Sequence, residues 1–432
     1  MEGKSVKSFV RECFPLDVVN RVIPHAHVND VSVWATQPRF GALVKSYLEE
    51  FSQTGVSSSH WLSSVPQCLR GSVEDVINYL GMLVAIDFRH WGERPSGSGG
   101  GEALVGSRVD GLCGFYATLP PEQSDQHAEK SFGGGRVLRG STAMTHLLRC
   151  AVEQHCIEWY RPSFMVQFAT VDEAVEALKS CFLGHEEDGK TPMWMPATRE
   201  RVELLISVSL AQLERGTSFY KIWCSCEGYL YHPTEPYLGF IEQLLQLHHR
   251  YHDFHLLRKE SANAEKDLMT GGDVLKFPVL KLALLTASAV DSAITHMPDA
   301  IEKISQHDSR APKCGAFHDK GQLTVCCDYQ IPKALRLLGL IEYDAHLALL
   351  VDNGVLLAKD GAEEASIRVA ALVASELLLD FLSSSNFKTL GGDAAKKPIV
   401  WDATALDHML WWIGRYNVDA SVRHHLCRTI MY

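Results

Sequence analysis

Apolar residues return at intervals of three and four along most of this chain. In residues 73–83 they fall at Val73, Val76, Ile77, Leu80 and Leu83, so one side of a helix faces a core. The same rhythm predicts helices at 202–213, 240–247, 279–294, 367–381 and 405–413, and Ala287 and Ala289 leave room for a close helix neighbour. Period-two alternation is scarce. Its best candidate is 160–170, where Phe164, Val166 and Phe168 would share one strand face. The expected fold is mainly α: a single multi-helix domain with few short strands, the alternative being two lobes around a cleft. Glycine and serine crowd 95–101 and 131–135, so the stretch from Glu93 to Arg136 reads as an insertion with low-complexity ends. A second insertion is expected at 299–321, and no fixed-period repeat is visible.

Composition narrows the partners. The 432 residues are 46% hydrophobic, enough for a large core. Lys and Arg number 41 against 52 Asp and Glu, a net charge of −11 that offers a polyanion no global attraction, so no nucleic-acid partner is expected. No apolar run reaches the roughly 18–20 residues of a membrane span, and residues 1–16 carry charge, so the expected location is intracellular and cytoplasmic. The twelve cysteines are scattered, some inside helical patterns as at Cys150 and Cys156, which suggests reduced, buried thiols. Cys224 and Cys226 stand too close for a zinc knuckle. His248, His249, His252 and His255 beside Asp253 invite a metal reading, with His248 and His252 one helical turn apart. No HExxH accompanies them, and hydrogen-bonded histidines on a half-buried helix face are the simpler reading. No phosphate-binding or dinucleotide glycine motif occurs, so neither metal nor organic cofactor is expected.

The most informative stretch is VCCDYQIPKALRLLGL, residues 325–340. Apolar residues lead into Asp328, Pro332 suits a helix start, and Gly339 suits its end. By spacing alone, Asp328 is a helix cap. In FPVLKLALL, residues 277–285, Lys281 sits among leucines, where a lysine either snorkels or works. In IDFRHW, residues 86–91, Phe88 and Trp91 stand three apart and would share a helical face, more often as core than as a stacking platform.

These segments, in this order, resemble the queuosine-salvage family of N-glycohydrolases. Asp328, Tyr329, Pro332, Leu338 and Gly339 match its Asp-Tyr-Arg-x-Pro-Gln motif and the Leu-Gly step that follows, with Gln330 and Lys333 in place of Arg and Gln. Phe277, Pro278, Lys281 and Ala283 resemble Phe-Pro-x-x-Lys-x-Ala-Gln, with Leu284 replacing the last residue. Asp87, Phe88, His90 and Trp91 stand where the family has Asn-Phe-x-Phe-Trp. Glu364, Ile367, Arg368 and Glu376 resemble its Glu-x-Glu-Ile-Arg helix and later Glu, and Asp407, Leu410 and Trp411 match Asp-Tyr-x-Leu-Trp. The ending, with His424, His425, Arg428, Thr429, Ile430 and Tyr432, is similar to His-His-Arg-x-Arg-Thr-Ile-Tyr-Tyr, which implies a docked tail. Weaker matches are Ala169 and Thr170, Met195 and Pro196 leading to Glu200 and Arg201, and Tyr251 with Asp253.

The resemblance implies a helical, DNA-glycosylase-like domain spanning 1–432. It also implies hydrolysis of queuosine 5′-monophosphate to queuine and ribose 5-phosphate, with no cofactor. Asp328 would contact the ribose and activate water. Lys281 would keep Asp328 ionised or bind sugar and phosphate. Phe88, Trp91 and Asp87 would face the base. Tyr329 and Asp253 are further substrate-binding candidates, and Arg368, His425 and Arg428 would meet the phosphate. Two rivals remain: a catalytically degenerate family member that binds without turnover, motivated by the departures at Asp87, Leu284, Gln330 and Lys333, and a repair-type DNA glycosylase, disfavoured by the acidity.

Overall fold

A computed structural model describes residues 4–52, 61–93, 103–109, 111–119, 129–130, 136–258, 274–307, 316–384, 400–416 and 421–432. Helices dominate, as the periodicity predicts, and the strands are two to five residues long. The helix Val73–Ala85 begins where Ser72 accepts a hydrogen bond from the Asp75 N–H, with Glu74 and Asp75 in its first turn against the helix dipole. Its second half is almost wholly buried. At Gly81 a Cβ would lie 2.2 Å from the Phe219 ring, so only glycine lets the helix Phe219–Ser225 approach this closely. The helices Thr198–Glu214, Phe240–Leu247 and Lys281–Ile294 complete this part of the core.

The long helix Ala362–Ser383 is buried along most of its 22 residues and packs on the short helix Gln330–Leu337. The latter also packs on Ala403–Tyr416. Gly414 fixes that approach, because a Cβ there would stand 2.5 Å from the Gln330 carbonyl oxygen. The C-terminal tail is docked: Leu426–Cys427 adds in parallel to Leu356–Leu357, and the Arg89 N–H donates to the Tyr432 carbonyl at 2.9 Å.

Two expectations are corrected, the strand at 160–170 and the burial of Cys156. Residues 160–170 are not a strand. Pro162 starts the short helix Pro162–Met165, and Phe164 meets Phe168 edge to face at 5.4 Å, a spacing of four that suits helical turns as well as alternation suits a strand. The Glu93–Arg136 stretch contributes structure. Leu112–Gly114 pairs with Trp91–Glu93, and Tyr116–Leu119 joins Arg136–Arg139, Glu129–Lys130, Leu183–His185 and Pro192–Trp194 in a five-stranded sheet. Its glycine- and serine-rich ends, 95–101 and 131–135, lie outside the described residues. In the second expected insertion Pro298–His307 is helical, and 308–315 lie outside the described residues. Finally, Cys156 is exposed rather than buried, because it caps a helix in the left-handed conformation at φ 54°. Among the described residues every cysteine is free, and no helix is long and apolar enough to cross a membrane.

Candidate active site

The site is built on a helix end. After Val73–Ala85 the backbone leaves the helix, passes through Arg89 at φ 34° and enters the strand Trp91–Glu93. The carbonyls at a helix C-terminus lack intrahelical donors. Two buried guanidiniums supply them. Arg250 Nε donates to the Ala85 carbonyl at 2.7 Å, and Arg201 donates to the carbonyls of Ile86, Phe88 and Arg89. Both guanidiniums also lie over the Phe88 ring, at 4.2 and 4.9 Å from its centroid. This clamp fixes the peptide that carries Asp87 and His90.

Asp87 is held on both oxygens. Lys281 Nζ donates to Oδ2 and to the Asp87 carbonyl, each at 2.7 Å, and His90 Nε2 lies 3.0 Å from Oδ1. Burial alone would raise this carboxyl, but Lys281 and His90 hold it well below the usual carboxylate range. Burial pushes His90 down to about 4 against the pull of Asp87. Lys281 opens its own helix after Leu280, which takes the left-handed conformation, and Asp253 Oδ2 accepts the Lys281 N–H at 3.1 Å.

Asp328 caps the helix Gln330–Leu337 as its spacing predicts, with Oδ1 accepting from the N–H groups of Gln330 at 2.7 Å and Ile331 at 3.2 Å. The cap and the chemical reading coexist. Burial pushes Asp328 up to about 6, with the Asp87 charge adding to the rise, while Lys281 and the two N–H bonds pull down. Lys281 pulls Asp328 towards its ionised form, as a nearby cation should, but its hydrogen bonds go to Asp87 and burial outweighs its attraction at Asp328. Asp407 belongs to the same cluster. It accepts the Cys326 N–H at 2.6 Å, and burial, reinforced by Asp328, pushes it up to about 7. Asp87 binds the Lys281 ammonium directly, and Asp328 and Asp407 feel its charge. Asp407 stood in a matched motif without a role, and nothing in its local pattern marks it as buried beside Asp328.

Next to this cluster opens a cavity of about 250 Å3, lined by His90, Trp91, Tyr329, Gln330, Lys333 and His424 among others. Arg139 and Arg415 also border it, as do Glu186 and Glu187. The Tyr329 and His424 rings stand 4.8 Å apart. Trp91 and Tyr329 of the expected substrate-binding set are therefore on its wall, and Asp328 and Asp87 each neighbour wall residues in sequence.

The remaining candidates lie elsewhere. Phe88 and Trp91 share no helical face, since the helix ends before them, and Phe88 is 1% exposed beneath Arg201 and Arg250. Arg368 and Asp253 form a fork-to-fork pair, Nη1–Oδ1 2.5 Å and Nη2–Oδ2 2.8 Å, with Arg368 also donating to the Cys327 carbonyl at 3.0 Å. His425 meets the Tyr432 hydroxyl at 2.9 Å, and that hydroxyl donates to Glu364 at 2.7 Å. Arg428 is bidentate on Glu93 at 2.9 and 2.7 Å. None of Arg368, His425 and Arg428 lines the cavity. Each of the three makes a protein contact away from the cavity, and Arg368 Nε and His425 Nδ1 stay buried without a hydrogen-bond partner.

The four histidines do not share one helix face, although the His248 and His249 rings stand 4.1 Å apart. The helix ends at Leu247, so His248 and His252 do not stand a turn apart on it. His248 accepts the Arg250 N–H at 3.0 Å, while His252 Nε2 lies 2.7 Å from the Leu245 carbonyl. Among the described residues one trio, His255, Asp360 and Glu364, brings possible ligand atoms within 4.8 Å of one another. Arg368 Nη1 lies 3.3 Å from His255 Nε2, and its charge opposes a cation there.

Fold and site thus define a mainly helical protein with a group of half-buried carboxylates beside an aromatic-walled cavity. Residues 307–432 match the family described as queuosine salvage protein, so the resemblance seen in the motifs is shown for the C-terminal part of the chain. Two curated relatives are each named queuosine 5′-phosphate N-glycosylase/hydrolase. The one from Dictyostelium discoideum is 30% identical over 118 residues, 27% of this chain and 33% of the relative. The one from Sphaerobacter thermophilus is 31% identical over 118 residues, with the same coverage of 27% and 33%. The chain thus spans about a third of the length of the curated relatives it matches. Asp328, Arg368, Asp407 and the tail fall inside the family match, whereas Asp87 and Lys281 fall outside it and are brought to Asp328 by the fold.

Proposed function

We propose that this protein hydrolyses the N-glycosidic bond of queuosine 5′-monophosphate, releasing queuine and ribose 5-phosphate. The observation that carries the reading is Asp328, a carboxyl raised to about 6 beside an aromatic-walled cavity, at the position of the family's motif aspartate. A base with that value is mostly ionised at neutral pH and still basic enough to take a proton. In the reaction water attacks C1′, the bond from C1′ to the base nitrogen breaks, and the electron pair leaves with the base. Asp328 accepts the water's proton and stabilises the positive charge that develops at C1′. The departing base gains a proton.

The Asp87–Lys281 pair holds the cluster's geometry, with the Lys281 ammonium bonded directly to Asp87. Trp91 and Tyr329 offer flat walls to a planar base. For the 5′-phosphate the cavity's own cations, Arg139, Lys333 and Arg415, replace Arg368 and Arg428 as the assignment. The whole chain, 1–432, is read as one such domain.

The experiment is incubation of the purified protein with queuosine 5′-monophosphate in the presence of a chelator, following queuine by chromatography and mass spectrometry. Release of queuine and ribose 5-phosphate is expected, and Asp328→Ala is expected to abolish it in a folded protein. Appreciable residual turnover in folded Asp328→Ala removes Asp328 from its role. Nucleotide binding without release from the wild type replaces the hydrolase by a binding-only family member.

A further inference from the structure

Asp328 and Asp407 face one seam between two helices. Asp407 stands on Ala403–Tyr416, which packs on Gln330–Leu337, the helix that Asp328 caps. Asp407 and Gly414 are two helical turns apart and so share one face of their helix. Gly414 lies against the Gln330 carbonyl and lines the cavity, as do Tyr329 and Gln330 directly after Asp328. Asp407 Oδ1 ties the seam together by accepting the N–H of Cys326, two residues before Asp328.

Neither carboxyl is sealed off. Both are half-buried, each spends Oδ1 on backbone N–H groups, and Oδ2 of each is solvent-accessible with no hydrogen-bond partner among the described residues. Their surroundings differ. Asp328 accepts two N–H bonds and Asp407 one, and such bonds favour the charged form. Two neighbouring carboxyls resist ionising together, so Asp328 takes the charge first and Asp407 keeps the proton. Their titration follows the same order, with Asp328 at about 6 and Asp407 pushed up to about 7 by burial and by the Asp328 charge. Of the groups on the elements packed around Asp407, Lys281 pulls it the other way, Tyr47 on Pro38–Ser52 bonds His408, and Arg368 on Ala362–Ser383 is tied to Asp253.

We propose that Asp407 is the proton donor to the departing base, paired with Asp328 as the acceptor of the water's proton. The proposal rests on the hydrolase reading above, which leaves the source of the base's proton unassigned. As the bond from C1′ to the base nitrogen breaks and its electron pair goes to that nitrogen, the Asp407 O–H supplies the base with its proton, while Asp328 takes one from the attacking water. Asp328 ends protonated and Asp407 ionised, and proton exchange with solvent restores the starting state.

The test combines a pH profile with a leaving group that needs no proton. For queuosine 5′-monophosphate the wild-type kcat/KM is expected to rise near pH 6 and fall near pH 7. Asp407→Asn keeps an oxygen for the Cys326 N–H, and thermal melts check that it is folded. Its kcat is expected to drop by about 10²- to 10⁴-fold, with the falling limb gone and the rising limb in place. With 4-nitrophenyl β-ribofuranoside 5-phosphate, whose phenolate departs without a proton, the variant's loss is expected to be smaller by about tenfold or more, whereas a merely structural role lowers both substrates alike. Where the wild type leaves the nitrophenyl compound untouched, the falling limb decides. A falling limb that persists in the folded variant, or equal losses on the two substrates, overturns the acid role and leaves the hydrolase reading standing. Absence of queuine release by the wild type overturns the hydrolase reading and the acid role with it.

Discussion

Two acid–base clusters, one buried and one half-buried, meet at Lys281 and differ in their arithmetic. On one side Asp253 and Arg368 are matched one to one, 3% and 1% exposed, with both carboxylate oxygens and both terminal guanidinium nitrogens engaged. The Lys281 N–H adds a further bond to Asp253. On the other side the Lys281 ammonium serves Asp87 directly and is shared electrostatically with Asp328 and Asp407. The balanced pair leaves its carboxylate below its ordinary range, whereas the unbalanced set leaves two carboxyls above theirs, at about 6 and about 7. A closed pair cements the fold, and a deficit of cations keeps a carboxyl reactive near neutral pH.

Breaking the closed pair is expected to have the largest effect. Arg368→Ala leaves Asp253 buried and unmatched, which costs about 3–5 kcal/mol. Burial raises Asp253, but Arg368 holds it below its unfolded value, so in the wild type the contribution is present above an unfolded pKa of about 3.9 and lost as pH falls through the lowered folded value. In the variant, without Arg368, burial dominates and that dependence reverses. Urea denaturation across pH measures both, and a loss under about 1 kcal/mol at neutral pH would reduce Arg368 to a bystander.

In the open cluster the same type of change separates stability from activity. Asp328→Asn keeps an oxygen for the Gln330 and Ile331 N–H groups and removes a charge that burial disfavours. Turnover is expected to fall by about 10²- to 10⁴-fold, while stability at pH 8 stays level or rises. The folded value is raised to about 6 above an unfolded value of 3.8, so the wild type loses stability relative to the variant as pH rises through that interval, and the gap is constant above it. Melting temperatures from pH 4 to 8 decide this. A variant less stable than wild type at pH 8 contradicts the charge surplus.

Asp407 sharpens the comparison. The Asp328 charge helps to raise Asp407 to about 7, so Asp407 is largely protonated while Asp328 titrates near 6, and Asp407→Asn is expected to leave the rising limb of kcat/KM near 6. A limb that moves to lower pH by about a unit or more would show that the Asp407 charge acts on Asp328.

Much of this was legible in sequence. The helices at 73–83, 202–213, 240–247, 279–294, 367–381 and 405–413 follow from spacing alone, and Asp328 before a helix start announces its cap. What escaped has physical reasons. Strands of two to five residues are too short to show alternation, so the five-stranded sheet within and beyond 93–136 left no trace. The clamp by Arg201 and Arg250 joins side chains more than a hundred positions from the helix end they satisfy. Phe88 and Trp91 were misread because the left-handed Arg89 between them breaks the helix and turns Phe88 inward, which residue identities do not disclose. Arg368 and Arg428 looked available for phosphate because the sequence does not show that Asp253 and Glu93 already hold them.

The smallest expected effect comes from Arg428. Its bridge to Glu93 is partly exposed, 24% and 17% for the two side chains, so Arg428→Ala is expected to cost about 0.5–1 kcal/mol, through looser attachment of the tail to the strand Trp91–Glu93. Because Arg428 binds Glu93 through Nε and Nη2 and does not line the cavity, KM for the monophosphate should remain that of the wild type. Lys333→Ala is the counterpart on the cavity wall. There KM for the monophosphate is expected to rise several-fold with kcat little changed, since a contact made equally in ground and transition states affects binding alone. If instead Arg428→Ala raises KM and Lys333→Ala does not, the tail holds the phosphate and the Glu93 bridge opens when the nucleotide binds.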